Sequence, residues 1–410
     1  MRIKLTRLAV VVAASVGASS AAFALDPQSI RVSDGVMFTP TLKLEHGHNN
    51  NLYGTKNSTK STRFTVAEPS FTLGLDRAKS AYQLKYVMSS KNYHSANDNS
   101  HIDHHLTAKS GFEFNARNRL MLEAGYHKLQ STTSDSSKNT GKNDKWNTKN
   151  IGGVYTFGAR EARTQVDFGL KYDELRYDNS RKDGNGVRLN KGSERDATAG
   201  VITGYYAVAP KTKLLLEGRY TDYDYTSNDN RDSKNKALLA GVTWEATAKT
   251  TGTVKIGREK KDYKKSAYSD KSTGMWEAGI TWAPRTYSTF SLNTRRAFDE
   301  GNTYTVADGG IYDGEHISSS IKTASHTLGW NHAWMDRLSS NVSFNYTDRD
   351  YQGDQAGRED TLKRYSLGLT YEVRRWLDIG VGYTYADNDS NRNNHDYKRN
   401  VYSVTFNASL

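Results

Sequence analysis

The sequence predicts an all-β fold, a transmembrane antiparallel up-and-down β-barrel of about 18 strands, and three observations support this. Apolar and polar residues alternate along most of the chain, which is the period of a strand with two different faces. Short and long connections alternate between these segments, as in a barrel with short periplasmic turns and long extracellular loops. After residue 24 there is no apolar stretch of about 18 residues, so a helical membrane protein is excluded.

The composition is compatible with a barrel and argues against disorder. The 410 residues include 57 Lys and Arg, 45 Asp and Glu, 26 Tyr and no Cys. Disordered chains are poor in aromatic residues, whereas 11% of this chain is Phe, Trp or Tyr. A soluble β-sandwich or β-solenoid is the alternative. Its disadvantage is that the long polar connections exceed the loop lengths usual in compact domains.

Residues 1–24 are expected to be a cleaved signal peptide. A basic start precedes a short apolar run, and residues 22–24, Ala-Phe-Ala, fit cleavage between small residues. A short periplasmic segment would follow over residues 25–35, and a single barrel domain over residues 36–410. Export of a barrel predicts the outer membrane of a Gram-negative bacterium as its location.

Each strand is predicted from its own run of alternating residues, and the run after each long connection starts a new hairpin. In chain order, the apolar members of the runs are Phe38/Leu42/Leu44, Phe71/Leu73/Leu75, Tyr82/Leu84/Tyr86/Met88, Ile102/His104/Leu106 with Phe112/Phe114, Leu120/Leu122/Ala124/Tyr126, Ile151/Gly153/Tyr155/Phe157, Val166/Phe168/Leu170/Tyr172, Val201/Thr203/Tyr205, Leu214/Leu216/Gly218/Tyr220, Leu238/Ala240/Val242/Trp244, Val254/Ile256, Trp276/Ala278/Ile280/Trp282, Phe290/Leu292, Leu328/Trp330, Val342/Phe344/Tyr346, Tyr365/Leu367/Leu369/Tyr371, Leu377/Ile379/Val381/Tyr383 and Tyr402/Val404/Phe406. The short connections are residues 76–80, 115–119, 158–163, 209–212, 246–250, 283–287, 335–339 and 373–376. The long ones are residues 46–61, 92–100, 132–145, 179–195, 227–236, 264–273, 299–318, 348–360 and 388–399.

If the apolar set faces lipid, the residues between its members face the lumen. Barrels of about 16–18 strands leave an aqueous channel, and this set mixes both signs of charge with Thr, Asn and Gly. Most such charges are expected to pair with neighbours in the wall and to bind no ligand. Two tyrosines assigned to the polar set, Tyr206 and Tyr223, are candidates for stacking on a glycan. The pore-lining candidates are Lys43, Glu45, Lys85, Lys109, Glu113, Lys171, Glu217, Arg219, Lys255, Glu277, Arg295 and Glu372.

No metal site, cofactor or enzymatic activity is predicted. Histidines gather near the first long loops, but their spacing is not that of a metal site and the chain has no Cys. Ser325, His326, His332 and Asp336 hint at a hydrolase. His326 and His332 share a face, however, and Ser325 points to the opposite one, which excludes the geometry of a triad. The basic loop segments are attributed to solvated surface that can attract lipopolysaccharide phosphates, and no nucleic-acid partner is expected.

Two segments resemble the outer-membrane beta-barrel porins of the second type. Residues 40–55, PTLKLEHGHNNNLYGT, are similar to that family's Pro-led first strand and Asn-rich loop, although Asn50 stands where an acidic residue is frequent. Residues 101–127, HIDHHLTAKSGFEFNARNRLMLEAGYH, are similar to its aspartate–histidine strand and Phe-x-x-Arg-x-Arg-Leu turn. The resemblance implies a barrel associated with exopolysaccharide or capsule. It therefore implies export of a polysaccharide substrate, with a periplasmic polysaccharide-export partner.

Three functions stay open on the sequence. The first is polysaccharide export, the second is a general or substrate-selective uptake porin for ions or oligosaccharides, and the third is a structural or adhesive barrel without an open pore. The expected partners are outer-membrane lipids, lipopolysaccharide and the barrel-assembly machinery, and the protein is expected to be a monomer.

The final segment, NVYSVTFNASL, alternates to its last residue. A closed barrel must pair its last strand with its first, so we expect this segment to pair with the strand from Phe38 to Glu45. Its outward row also resembles the assembly signal that the outer-membrane insertion machinery reads, although the usual last residue is Phe. That row is Tyr402, Val404, Phe406 and Leu410.

Overall fold

Antiparallel strands make up most of what the computed structural model describes, which is residues 28–130, 143–179, 189–247, 249–300, 318–353, 357–392 and 395–409. The predicted signal peptide and Leu410 lie outside these segments. Among the described residues, no helix has the length and apolar character needed to cross a bilayer. The strands are β1 (Ile30–Ser33), β2 (Val36–Asn49), β3 (Thr62–Asp76), β4 (Ser80–Tyr93), β5 (His101–Asn115), β6 (Asn118–Gln130), β7 (Lys145–Phe157), β8 (Thr164–Asn179), β9 (Arg195–Ala209), β10 (Thr212–Tyr225), β11 (Ser233–Thr247), β12 (Thr250–Tyr263), β13 (Lys271–Arg285), β14 (Ser288–Glu300), β15 (Ser318–Met335), β16 (Leu338–Gly353), β17 (Glu359–Arg374), β18 (Leu377–Ser390) and β19 (Tyr397–Ser409). Short 3₁₀ turns lie at Asn97–Asn99, Leu189–Ser193 and Asp229–Arg231.

Strands β2 to β19 form one closed barrel. Each pairs with the next along the chain, and β19 closes on β2 from Val401 opposite Asn49 to Ser409 opposite Thr41. The predicted 18-stranded barrel and its seam are therefore confirmed, and so are the eight short turns, each of which joins two paired strands. Closure gives every strand a partner on both sides, which is what a sheet in lipid requires.

Contacts beyond the β19–β2 ladder extend the seam at both of its ends. At the turn side, β1 pairs with β2 around Phe38, past the point where β19 ends, and the Gln28 N–H donates to Ser409 Oγ at 2.8 Å. At the loop side, the side chain of Asn51 is almost fully buried and its Nδ2 donates to the Lys398 carbonyl at 2.9 Å. Arg399 Nε donates back to the Asn51 carbonyl at 2.8 Å. The Asn-rich segment noticed in the sequence therefore fastens the first loop to the last strand.

The apolar set faces outward, as predicted. Leu170 is 73% exposed and Leu238 is 62% exposed, values that a soluble protein avoids but a lipid-facing surface requires. Aromatic members of this outer set lie towards both ends of the strands, where the two membrane interfaces are expected. Those towards the loop end include Tyr86, Tyr126, Tyr172 and Tyr220, and those towards the turn end include Trp244, Trp282, Trp330 and Tyr371.

Strand β9 has the opposite face assignment from the one predicted. Ile202, Tyr206 and Val208 are exposed on the outer surface, whereas Thr203 is buried on the inner side. The register explains this, because Tyr206 lies opposite Leu214 of β10, which is also exposed on the outer surface. The interpretation of Val201, Thr203 and Tyr205 as the lipid-facing set was therefore wrong.

The β13–β14 ladder is incomplete at its loop-side end. The ladder stops at Trp276 opposite Arg296, although β13 continues to Lys271 and β14 to Glu300. Over this stretch β13 remains paired with β12, and β14 remains paired with β15. The last four residues of β14, 297–300, have therefore separated from β13.

Candidate functional site: the barrel lumen

The inner surface carries all twelve predicted pore-lining residues, since each lies on the alternate set opposite to the exposed apolar one. Several pair with a neighbour, as expected: Lys43 with Glu45 at 2.8 Å, Lys109 with Glu123 at 3.1 Å, Lys171 with Asp173 at 2.8 Å and Arg295 with Asp299 at 2.9 Å. Arg160 contacts Glu113 at 3.9 Å. Whether these twelve residues determine what passes through the lumen stays a prediction.

Four of the candidates form one lumenal charge cluster, consisting of Glu217, Arg219, Lys255 and Glu277. Arg219 donates through both terminal nitrogens to the Glu277 carboxylate, at 2.6 and 2.7 Å, and through Nε to Glu217 Oε1 at 2.5 Å. Lys255 Nζ lies 2.7 Å from Glu277 and 3.3 Å from Glu217. Two cations thus bridge two carboxylates, and the formal charges of the cluster cancel.

Neighbouring strands explain how this cluster forms. Glu217 and Arg219 are two residues apart on β10 and so share a face, and Lys255 lies directly opposite Glu277. Strand β11 separates β10 from β12, and there Gly241 leaves space. A Cβ added to Gly241 would lie 3.0 Å from Lys255 Cγ, so the lysine stem passes over this glycine to reach Glu217. Thr203, which sequence reasoning placed outside, donates its hydroxyl to Glu217 Oε2 at 3.0 Å.

A second group, the mouth cluster, consists of Tyr225, Glu259, Lys261 and Glu300 at the loop side. The Phe298 N–H donates to Glu259 Oε2 at 2.8 Å, and Lys261 Nζ contacts Glu300 Oε1 at 2.5 Å. Tyr225 OH donates to Glu300 Oε2 at 2.6 Å. Lys261 is fully buried, so its charge has no water to compensate it and depends on Glu300.

These contacts place the end of β14 inside the barrel. Glu259 and Lys261 belong to β12 and Tyr225 to β10, two and four strands away along the wall, and neighbouring strands are about 4.8 Å apart. A residue of β14 can touch their inner side chains only from within the lumen. The end of β14 therefore overlaps the wall from inside, and residues 297–300 lie against the inner face of β12 and β13.

Apolar packing supports this overlap. Leu239, Met275 and Ala297 form a buried cluster, with exposed fractions of 0%, 5% and 1%. Leu239 lies on the inner set of β11, where it would meet water in an open lumen, and Ala297 helps to cover it. The sequence prediction placed residues 299–318 in a loop and missed this arrangement, because nothing local to β14 indicates where its end lies.

The side of the lumen that follows β14 along the wall is formed by β15 to β19, and the middle of its inner surface is called the neutral wall. It carries hydroxyls, amides and glycines, namely Thr327, Gly329, Asn331, Asn341, Ser343, Asn345, Ser366, Gly368, Thr370, Gly380, Gly382, Thr384, Ser403, Thr405 and Asn407. A charged residue, Arg364, borders it on the loop side, opposite Asn345. The glycines let polar side chains lie flat on the wall. A Cβ added to Gly368 would lie 2.1 Å from Asn341 Oδ1, and one added to Gly329 would lie 2.5 Å from Ser291 Oγ. Along this side, amide and hydroxyl groups therefore cover backbone that has no side chain of its own.

The two tyrosines predicted to stack on a glycan lie on different faces of the wall. The prediction for Tyr206 was wrong, because its ring lies on the outer surface and cannot contact a solute in the lumen. The Arg163 guanidinium carbon lies 4.9 Å from the centroid of this ring. Tyr223 lies on the inner side with Lys261 Nζ 4.8 Å from its ring centroid. In the last strand, Tyr402, Val404 and Phe406 are exposed on the outer surface, and their role in assembly stays a prediction.

Side chains at the loop end are linked by ion pairs and hydrogen bonds. In the described segments, no group of three or more His, Cys, Asp or Glu residues has the arrangement of a metal site. Ser325 lies opposite Arg295 on the inner set, whereas His326 contacts Trp276 on the outer one. Lys56 Nζ contacts Asp396 Oδ2 at 2.6 Å and holds the pKa of that carboxyl below its ordinary value. This pair links the first and last loops across the seam.

Comparisons with known proteins agree with the barrel. The family model described as Putative beta-barrel porin 2 matches residues 25–409. The crystal structure of OccK2 (OpdF) from Pseudomonas aeruginosa is 10% identical, with 91% of this chain and 98% of that chain covered and a TM-score of 0.51. The crystal structure of OccAB2 from Acinetobacter baumannii is 12% identical, with 91% and 98% covered and a TM-score of 0.48. No curated protein matches the chain. At 10% identity, the likeness to OccK2 concerns the fold alone.

Proposed function

Because the chain belongs to the Putative beta-barrel porin 2 family and folds as an outer-membrane porin-like barrel, we propose that it is a passive channel for small, uncharged, hydroxyl-rich solutes. The observation that carries this proposal is the neutral wall of β15 to β19. Hydroxyl and amide groups both donate and accept hydrogen bonds, so they can replace the water around a sugar-like solute as it passes.

The charges of the lumen support the same solute class. The lumenal charge cluster has two cations and two anions in mutual contact, so it presents little net charge to a passing ion. A channel selective for ions usually has a ring or a line of charges of one sign. The neutral wall lacks such a line between Thr327 and Asn331 on β15 and between Ser403 and Asn407 on β19. Oligosaccharide uptake, one of the functions left open by the sequence, fits these features best.

Two rival functions differ in their support. Polysaccharide export with a periplasmic partner follows from the family resemblance alone, and neither the geometry nor the comparisons favour it. A barrel without an open pore is favoured by one observation, the inward position of residues 297–300. Lipopolysaccharide and the barrel-assembly machinery remain proposed partners of any barrel in this membrane.

Permeation into liposomes tests the proposal. The purified barrel is expected to let neutral mono- and oligosaccharides enter faster than charged solutes of equal size, and to show weak preference between K⁺ and Cl⁻ in planar bilayers. Placing carboxylates on the neutral wall, with Ser343→Asp and Thr370→Asp combined, should shift the reversal potential towards cation selectivity and slow sugar entry. The matched control is Thr370→Ser. A barrel that excludes all sugars and conducts no ions would overturn the proposal in favour of the closed barrel.

A further inference from the structure

The incomplete β13–β14 ladder leaves one strand edge on β13 and one on β14 without a partner strand. Residues 271–275 of β13 are bonded to β12 on one side only, and residues 297–300 of β14 to β15 on one side only. Unpaired strand edges are templates for further pairing. Continuing the observed register by four rows would place Met275 opposite Ala297 and Gly274 opposite Phe298.

We propose that the end of β14 has two positions and gates the channel. In the lapped position, which the structure shows, residues 297–300 lie inside the lumen. In the zipped position they pair with residues 272–275 of β13 and complete the wall. This inference rests on the proposed channel function, since the gate is meaningful only if the lumen conducts.

The lapped position is held by side chains that replace the missing ladder. The Glu259 carboxylate accepts the Phe298 N–H at 2.8 Å, on the edge that faces β13. Glu300 is bound by Lys261 and Tyr225 at 2.5 and 2.6 Å. Each of these hydrogen bonds joins β14 to a strand that is not its neighbour in the wall, so each must break when β14 moves outward.

The zipped position requires only a short movement of β14. Ala297 and Met275 already belong to one apolar cluster, and they would be direct neighbours across the extended ladder. A Cβ placed on Gly274 would meet no atom within 4 Å, so a side chain at this position of β13 is not obstructed on the outer face. Because β14 stays paired with β15 up to Glu300, the two strand ends can move as one unit. New backbone hydrogen bonds to β13 would compensate for the side-chain hydrogen bonds that break at the mouth cluster.

Disulfide trapping tests the two positions directly, because the chain has no Cys of its own. The pair Gly274→Cys and Phe298→Cys would face each other on the outer side only in the zipped position, within reach of a disulfide. The control pair Ile280→Cys and Leu292→Cys lies opposite on the same two strands where the ladder is intact. Both variants are reconstituted in liposomes, oxidised, and checked for folding by resistance of the barrel to SDS.

The expected result is that both pairs form disulfides, the control fast and the gate pair more slowly. Adding Glu300→Gln should raise the rate for the gate pair by about tenfold, the scale of losing one buried charge-assisted hydrogen bond. Lys109→Met, which breaks a wall ion pair away from the mouth, should leave this rate unchanged. A gate pair that never cross-links while the control pair does would overturn the two-position model.

Conductance then separates the gate from the channel function. In planar bilayers the oxidised gate pair should conduct more than the same protein after reduction. A cross-linked gate pair with equal conductance before and after reduction would show that the movement does not gate, and so would overturn the inference. If neither form conducts ions nor passes sugars, the proposed channel function fails, and the cross-linking still reports whether β14 occupies both positions.

Discussion

Replacing Arg219 by Met is expected to lower the free energy of unfolding by about 2–4 kcal/mol. Arg219 makes three hydrogen bonds in the lumenal charge cluster, two to Glu277 and one to Glu217. Without it, two carboxylates that are 8% and 12% exposed share the single cation of Lys255. The expected loss is somewhat below that for a fully buried pair, because the Arg219 side chain is itself 24% exposed. Urea unfolding of the barrel in phospholipid vesicles measures the change.

Two further variants test whether geometry or charge is responsible. Lys171→Met removes a lumenal cation whose pair with Asp173 is largely exposed, and should cost no more than about 1 kcal/mol. Arg219→Lys keeps the charge but cannot make the two parallel bonds to Glu277, so its stability should fall between those of the wild type and Arg219→Met. Equal unfolding free energies for Arg219→Met and Lys171→Met would contradict the buried character of the cluster.

Leu369→Arg is expected to cost roughly 2–4 kcal/mol, the penalty for a cation on the lipid face near the bilayer midplane. Leu369 is exposed on the outer surface in the middle of β17, opposite Val381 of β18. Thr370→Arg is the matched control, since the next residue along the strand faces the wet lumen and should tolerate a charge there. Folding titrations in lipid vesicles compare the two. An unchanged stability for Leu369→Arg, or a larger loss for Thr370→Arg, would reverse the assignment of the two faces.

The sequence was sufficient to predict the barrel, because the alternation of residues along strands and of short and long connections are local patterns. It failed at β9, where Val201 and Tyr205 on one face are matched by Ile202 and Tyr206 on the other. Both registers of this strand look half apolar, and a shift of one residue exchanges the faces. Only the neighbouring β10, whose Leu214 is unambiguously outward, decides between them.

The lumenal sites were predicted in part for the same reason. Alternation identified Glu217, Arg219, Lys255 and Glu277 as inward-facing, but their meeting depends on how β10, β12 and β13 are staggered. The mouth cluster was missed altogether. Glu300 lies 39 residues from Lys261 and 75 from Tyr225 along the chain, so no local pattern links them. Its carboxylate looks like that of an ordinary loop residue until the end of β14 is placed inside the barrel.

The seam between β19 and β2 has a consequence for the order in which the protein folds. Asn51 binds the backbone of Lys398, 347 positions away, and the strands that it joins are the first and last of the barrel. Contacts so distant in sequence form slowly, because a long chain must be brought together before they contribute. Every hairpin in the wall can form from adjacent residues, whereas this contact must wait for all of them. Until it forms, the growing sheet has two open edges in a membrane that cannot hydrogen-bond to them. Closure of the seam, rather than formation of any strand, is therefore expected to limit the rate of folding.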